Sequence, residues 1–416
     1  MPRLEETTEL STLAATEATA STMAGGQAYM ADVARRRAPY GARSQSRHRA
    51  QAYVPGWRRE AERQNSWPVA EVCGESTPEG FQDVLSRADG DAKAVRDERH
   101  IEVIPHLGDP NGVLVLDATG FLNKGEHSAG VARQYRGTAG TVEHGQIGVL
   151  LRDASPLGHA LRARERYRPP AWTEEGARGR QAGIPADRPF ATTLHLAQQM
   201  LHRAFTAGVP APWLTGDSID GTDRRWRLGR EAQPPASVRA VSGPADVWLE
   251  GRQRQVKTIW AALPEEGWGR LRAGASANGP RWYDWRWPPL AAPLAPGGRR
   301  WLLVRRSQSP PTELTADGVC APHATPLQEV VRVAGRRWTV ESSCEEAKGE
   351  VSLEQDEVPS GTAWYRPSTL AMWALALLTV MRAGTIAVEA CNKSLPPPQV
   401  AHPLAAFKAR RGLASR

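Results

Sequence analysis

Lysine is nearly missing from this chain. Lys93, Lys124, Lys257, Lys348, Lys393 and Lys408 are the only ones in 416 residues, although basic residues number 53. The positive charge is therefore carried by arginine, which suits bidentate phosphate contacts and which GC-rich codon usage also favours. Cysteine is equally scarce. Cys73, Cys320, Cys344 and Cys391 are far apart in sequence, which excludes a zinc spacing and any obvious disulfide framework and fits a reducing cytosol. Long apolar runs are wanting too. "STLAMWALALLTVM" (368–381) is the most apolar stretch, and it falls short of the ~20 residues a bilayer span needs. It predicts a buried helix. The first residues hold early glutamates and no cationic start before an apolar core, so no secretory signal is expected. These features together predict a cytoplasmic protein without membrane contact.

What the chain does have is net positive charge, +8 with a pI near 9.6. That favours a polyanionic partner without identifying one. The length allows two or three domains. Residues 1–33 are small, polar and mildly acidic and predict a disordered segment. Residues 34–108 begin with nine arginines between Arg35 and Arg63, Arg36, Arg37, Arg47 and Arg49 among them, against two acids, Glu60 and Glu62. That density predicts a basic surface for nucleic acid. Short helices follow, as in "STPEGFQDVLSRA", where Ser76 or Thr77 caps, Pro78 opens, and Phe81, Val84 and Leu85 share a face.

From Gly112 the pattern turns to strands: "GVLVLDA", "GQIGVLL", "PWLTGD", "SVRAVSG" and "RRWLLVRR". A helical segment, "HLAQQMLHRAFTAG" (195–208), precedes the third of these. Strands and helices so interleaved predict an α/β core over residues 109–395. A Pro-, Gly- and Trp-rich stretch at about 222–325 reads as an insertion, and residues 396–416 as a basic tail.

The first of these strands ends oddly. Val113 to Leu116 form a continuous apolar run, the mark of a strand buried on both faces, and the run stops at Asp117. A carboxylate at the edge of a core needs a partner or a metal. "VPAPWLTGDSIDG" repeats the arrangement with Asp217. Ligand sites in open α/β sheets gather outside the carboxyl ends of strands. A third group lies in "RRWTVESSCEEAKGE", where Arg337, Glu341 and Lys348 fall four and then seven residues apart, one face of a helix.

The order Asp, Asp, then Arg-x₃-Glu-x₆-Lys resembles the DDE transposases of bacterial insertion sequences, in the subgroup with a Tyr-Arg-Glu-Lys signature. "VLDATGFLNKGEHSAGVARQYRGTAGTVEHGQIGVLL", "LTGDSIDG" and "RVAGRRWTVESSCEEAKGEVSLEQDEV" are similar to the three blocks around the acids of one branch, and the likeness runs over roughly residues 42–416. It implies a ribonuclease-H-like catalytic core with a β-rich insertion, preceded by a small helical DNA-binding region. It also implies a catalytic and metal-binding triad of Asp117, Asp217 and Glu341, with Arg337 and Lys348 as phosphate contacts. The partners implied are double-stranded DNA with terminal inverted repeats, a target DNA, and a second copy in an active dimer, all at the nucleoid. The chain departs from the branch pattern at Ala118, Asp220, Ala334, Cys344 and Pro367.

Three acids from separate elements suit two divalent ions about 4 Å apart, with Asp117 bridging both. Oxygen-only ligands favour Mg²⁺ or Mn²⁺ over zinc. Seven of the fifteen tryptophans lie between Trp248 and Trp301, and "GPRWYDWRWPPL" alternates them with Arg281 and Arg286. Trp282 and Trp285 are candidates for stacking DNA bases, and such alternation is also how a small sheet builds its core. Three readings compete: a DDE transposase, a descendant that still binds DNA ends without cutting them, and another metal-dependent nuclease on the same fold. His106, His127, His144 and His159 fit no ligand spacing.

Overall fold

The computed structural model describes residues 66–86, 107–122, 128–136, 141–217, 235–337 and 364–391, with short breaks at 175, 185–188, 277–278, 291–296 and 311. A few earlier positions, such as Arg49 and Ala52, are described as well. Two short helices come first, α1 (Ser66–Val72) and α2 (Glu79–Ser86). Four strands follow: β1 (Val113–Leu122), β2 (Ala132–Arg136), β3 (Thr141–Ser155) and β4 (Gly158–Tyr167). Helix α3 (Thr193–Thr206) then leads to β5 (Trp213–Gly216) and β6 (Ala236–Val241).

A hairpin of β7 (Asp246–Leu249) and β8 (Arg252–Gln255) precedes helix α4 (Val256–Ala261). Four more strands complete the set: β9 (Gly269–Ser276), β10 (Gly279–Arg286), β11 (Gly298–Arg306) and β12 (Leu314–Pro322). Helices α5 (Leu327–Arg336) and α6 (Tyr365–Cys391) end the described chain.

Apart from the hairpin, all these strands join one ten-stranded sheet in the order β2-β3-β1-β5-β6-β12-β11-β10-β9, with β4 also on β3. β5 lies parallel to both β1 and β6, and the remaining pairs are antiparallel. The expected α/β core is borne out, and its mixed sheet is consistent with a ribonuclease-H-like fold. β6 lies inside the span 222–325 and adds a second parallel pair to the core strands. The strands after it extend the same sheet.

The apolar run of β1 now has its explanation. Val113 and Val115 face a cluster with Trp213, Val238, Val319 and the α5 residues Val330, Val331, Val333 and Ala334. Leu114 and Leu116 face the other way, against Leu201, Met200, Ala197 and Ala204 of α3. A strand with helices on both faces has no polar side to show.

The predicted buried helix at 368–381 is the middle of α6. Leu370 to Leu377 are all buried, and they share a cluster with Phe81, Val69, Leu150 and Leu161. Polar contacts fix the helix on β4. Arg164, 1% exposed, donates from Nε to Ser368 Oγ (2.5 Å) and from Nη2 to the Tyr365 carbonyl and Thr369 Oγ1. Thr379 donates to the His159 carbonyl at 2.9 Å. Arg164→Met is therefore expected to cost roughly 1–3 kcal/mol, the usual penalty for stranding buried polar groups. Urea unfolding measures it, and an unchanged midpoint would mean that the apolar contacts alone hold α6.

Candidate functional site at the sheet edge

The parallel register of β1 and β5 pairs Leu116 with Gly216. Asp117 and Asp217 each come one residue later, so they stand side by side at one edge of the core. Both line a single pocket, together with Leu116, Ala118, Val149, Thr193 and Ala197. Asp117 is half-buried and Asp217 exposed. The pocket also borders the first turn of α3, whose N-cap Thr192 accepts from the His195 amide at 3.1 Å.

The row of carboxylates continues beyond these two. β5 and β6 pair Gly216 with Arg239, so Ala240 follows Asp217 in the row, and Ala240 pairs with Asp317 of β12. Asp117, Asp217, Ala240 and Asp317 thus cross four neighbouring strands at one level. Strand alternation puts Asp117, Ala240 and Asp317 on the face covered by α5, since Val115, Val238 and Val319, two residues along, belong to the cluster beneath that helix, whereas Val149 and Ala197 of the pocket belong to the cluster beneath α3. Asp317 is 7% exposed. Burial pushes its pKa above the ordinary carboxylate value, the Arg337 and Arg305 guanidiniums pull it down, and the nearby Asp217 charge adds to the rise.

Arg337 is the C-cap residue of α5. Its Nη1 meets Asp317 Oδ1 at 3.3 Å, so the helix end leans on the carboxylate row. Arg305 donates to Thr315 Oγ1 at 3.0 Å and lies over the Tyr283 ring, 4.6 Å from its centre. Sequence reading overlooked Asp317. Its signal is an acid on the inward side of an alternating strand, where Val319 and Ala321 are its same-face neighbours.

Other sequence-selected residues fall in different places. Glu341, Lys348, Arg35, Arg36, Arg37 and Arg47 lie outside the described residues, as do segments 1–23 and 392–416. Arg49 donates to Glu75 at 2.7 Å, and a Cβ on Gly80 would meet its Cζ at 2.3 Å. That guanidinium lies against the start of α2. The two tryptophans separate. Trp282 is 47% exposed and stands across from Arg272. Trp285 is 1% exposed with its indole N–H on the Leu271 carbonyl at 3.2 Å. A ring so enclosed has no face to offer a base, so Trp285 is a core residue and the stacking expectation is corrected there.

The ligand chemistry suits a hard cation. Carboxylate oxygens such as those of Asp117 and Asp217 are hard ligands that suit a divalent cation. Among the described residues no three potential ligands cluster, so Asp117 and Asp217 form an incomplete set by themselves.

A family model described as DDE superfamily endonuclease matches residues 39–263, more than half of the chain. The protein belongs to that family. The matched span contains both Asp117 and Asp217 and stops before β9. No match was found among curated proteins. Membership implies a DNA substrate, and the family's nucleases typically use divalent metals. Among the described residues no helix is long and apolar enough to cross a membrane.

Proposed function

We propose that this endonuclease is a DNA transposase, cutting and joining transposon ends. The observation that carries the reading is the pairing of Asp117 with Asp217 at adjacent parallel strand ends in one pocket. Glu341, four residues beyond Arg337, is the third acid of the set. Two bound Mg²⁺ or Mn²⁺ ions would activate water or a DNA 3′-hydroxyl and stabilise charge on the phosphate. The chain's own part is to hold and orient. Asp117 and Asp217 supply anionic oxygens from a rigid sheet edge. Arg337 and Lys348 contact phosphate, and Arg35, Arg36, Arg37 and Arg47 give sequence-independent affinity for the duplex. The partners are terminal inverted repeats, a target DNA and a second copy of the chain, acting at the nucleoid.

The test is cleavage of a duplex carrying the DNA that flanks the gene, searched for inverted repeats, with Mg²⁺ or Mn²⁺ present. Cleavage and strand transfer support the reading. Binding without cleavage in either metal favours a DNA-binding descendant. One observation gives that second reading weight. Ala334 stands where the signature has tyrosine, and it is buried on the inner face of α5 at 5% exposure, where a phenol ring would have to displace its neighbours.

In the transposase reading Trp282 stacks on a base at the transposon end. Trp282→Ala is then expected to weaken end binding by roughly 1–3 kcal/mol while leaving thermal stability unchanged, because the ring is half exposed. A gel-shift titration beside a melting curve checks both. Equal affinity in the two proteins would remove Trp282 from the interface.

A further inference from the structure

The β7–β8 hairpin is an odd use of strand. It stands outside the ten-stranded sheet as a separate two-stranded ribbon. Of its eight strand residues six are exposed, and only Val247 is buried. A bare hairpin is at best marginally stable in water, so other contacts must hold this one. Val247 enters the cluster of Val256, Ile259, Leu302 and Val304. At the base, the Val256 amide donates to the Ala245 carbonyl and the Lys257 amide to the Gly243 carbonyl, both at 2.9 Å. At the tip, Glu250 and Gly251 form a two-residue turn in which both take positive φ, 50° and 75°. Turns of that kind match the twist of the strands they join. The ribbon is therefore anchored at its base and tightly closed at its tip, with most of its side chains left in solvent.

Those side chains sort by face. Trp248 pairs with Gln253 and Asp246 with Gln255, so these four share the face turned away from Val247. Trp248 is 49% exposed. Arg254 stands opposite Val247 and Arg252 opposite Leu249, yet both stay exposed, as long arginine stems allow. Lys257 adds a third exposed cation in the first turn of α4. None of these three cationic side chains has an ion-pair or hydrogen-bond partner among the described residues. The acids stand at the ends, Glu250 in the turn and Asp246 at the base. Two strands about 4.8 Å apart fit the major groove of B-DNA, which is about 12 Å wide and admits such a ribbon. Glutamine is the bidentate partner of adenine N6 and N7 in that groove. The family's DNA substrate supplies the duplex, and the matched residues include the hairpin.

We propose that the β7–β8 hairpin enters the major groove of duplex DNA, with Gln253 and Gln255 reading adenine edges and Trp248 resting on thymine methyl groups. Arg252, Arg254 and Lys257 meet the phosphates along the groove walls and hold the ribbon in register. This contact requires the family's DNA substrate, but neither a metal nor the aspartate edge.

The experiment is a gel-shift titration of the full-length protein in EDTA, repeated over a range of salt concentrations. The probe is the DNA that flanks the gene, made once with adenine and once with 7-deazaadenine, which lacks the major-groove N7. Wild type should bind the 7-deazaadenine duplex at least about fivefold more weakly, the lower end for a lost base contact. Gln253→Ala/Gln255→Ala should bind the two duplexes alike. Arg252→Gln/Arg254→Gln should weaken both equally and keep the wild-type ratio. Its salt slope should fall by about 1.8, roughly 0.9 for each of two phosphates. The four replaced side chains are exposed, so melting temperatures should match wild type.

Equal wild-type binding to the two duplexes overturns the proposal. So does a preference that survives in the glutamine variant, or a salt slope unchanged in the arginine variant. Trp248→Ala should weaken binding without altering sedimentation. If it instead separates a dimer and leaves DNA affinity unchanged, the exposed ring is a contact between copies and the proposal fails. Absence of cleavage with Mg²⁺ or Mn²⁺ would count against the proposed function alone, because these titrations contain no free metal.

Discussion

Asp117→Asn should lower strand cleavage and strand transfer at least about a thousandfold, a loss of about 4 kcal/mol in transition-state stabilisation. The amide is nearly the same size as the carboxylate, so packing beside Leu116 and Val149 is kept. What disappears is a negative charge at a position proposed to hold the metal. DNA affinity should hardly change, since it comes chiefly from phosphate contacts made elsewhere. Cleavage assays in Mg²⁺ and in Mn²⁺, run beside gel shifts, separate the two effects. Full cleavage by the variant would sink the assignment of this edge as the catalytic site.

Gly335→Ala should destabilise the protein by about 3 kcal/mol, despite alanine's better helix propensity. In an open helix that exchange would gain up to about 1 kcal/mol. Here a Cβ on Gly335 would stand 1.8 Å from the Ala273 carbonyl oxygen, a backbone atom of β9 that cannot rotate away. The helix or the strand must move, and overpacking of this kind costs typically 1–3 kcal/mol and occasionally more. Gly269→Ala is the matched control, because a Cβ there meets nothing within 4 Å. Denaturant midpoints of the two variants test the claim. Equal midpoints would show that α5 can back off β9 without cost. Any retreat of α5 would also carry Arg337 away from Asp317, so residual DNA cleavage should suffer as well.

Much of the core was legible because its residues obey simple patterns. The apolar run at β1, the short segment ending at Asp217 and the helical segment that became α3 all announced themselves. The meeting of Asp117 with Asp217 was foreseeable from matching strand ends, although only the Leu116–Gly216 register shows that the two strands are neighbours. β4 was not legible. Its "HALRARERY" reads as a solvated strand, yet Arg162, Arg164, Glu165 and Arg166 are each at most 3% exposed. Their partners come from other elements: Asp153 for Arg162, the first turn of α6 for Arg164, and Arg203 with Tyr365 for Glu165. Long-range pairing of this kind leaves no local periodicity. Trp285 and Asp317 escaped for the same reason. Which face of a strand is inward depends on which strand lies beside it, and β12 lies some 75 residues from β6 in sequence but next to it in the sheet.

The ladder joining β6 to β12 has a mechanical side. Five residue pairs, from Ala316–Val241 to Cys320–Ser237, weld the strands bearing the proposed cutting edge to those bearing Trp282. A loose tether would let the two halves swing like jaws. A shared sheet lets them only flex together, and a hinge would have to tear those pairs open. In the transposase reading compliance must then come mainly from the substrate, so a helix of DNA proposed to lie across Trp282 and the aspartate row would have to bend or open to meet a nearly rigid plate.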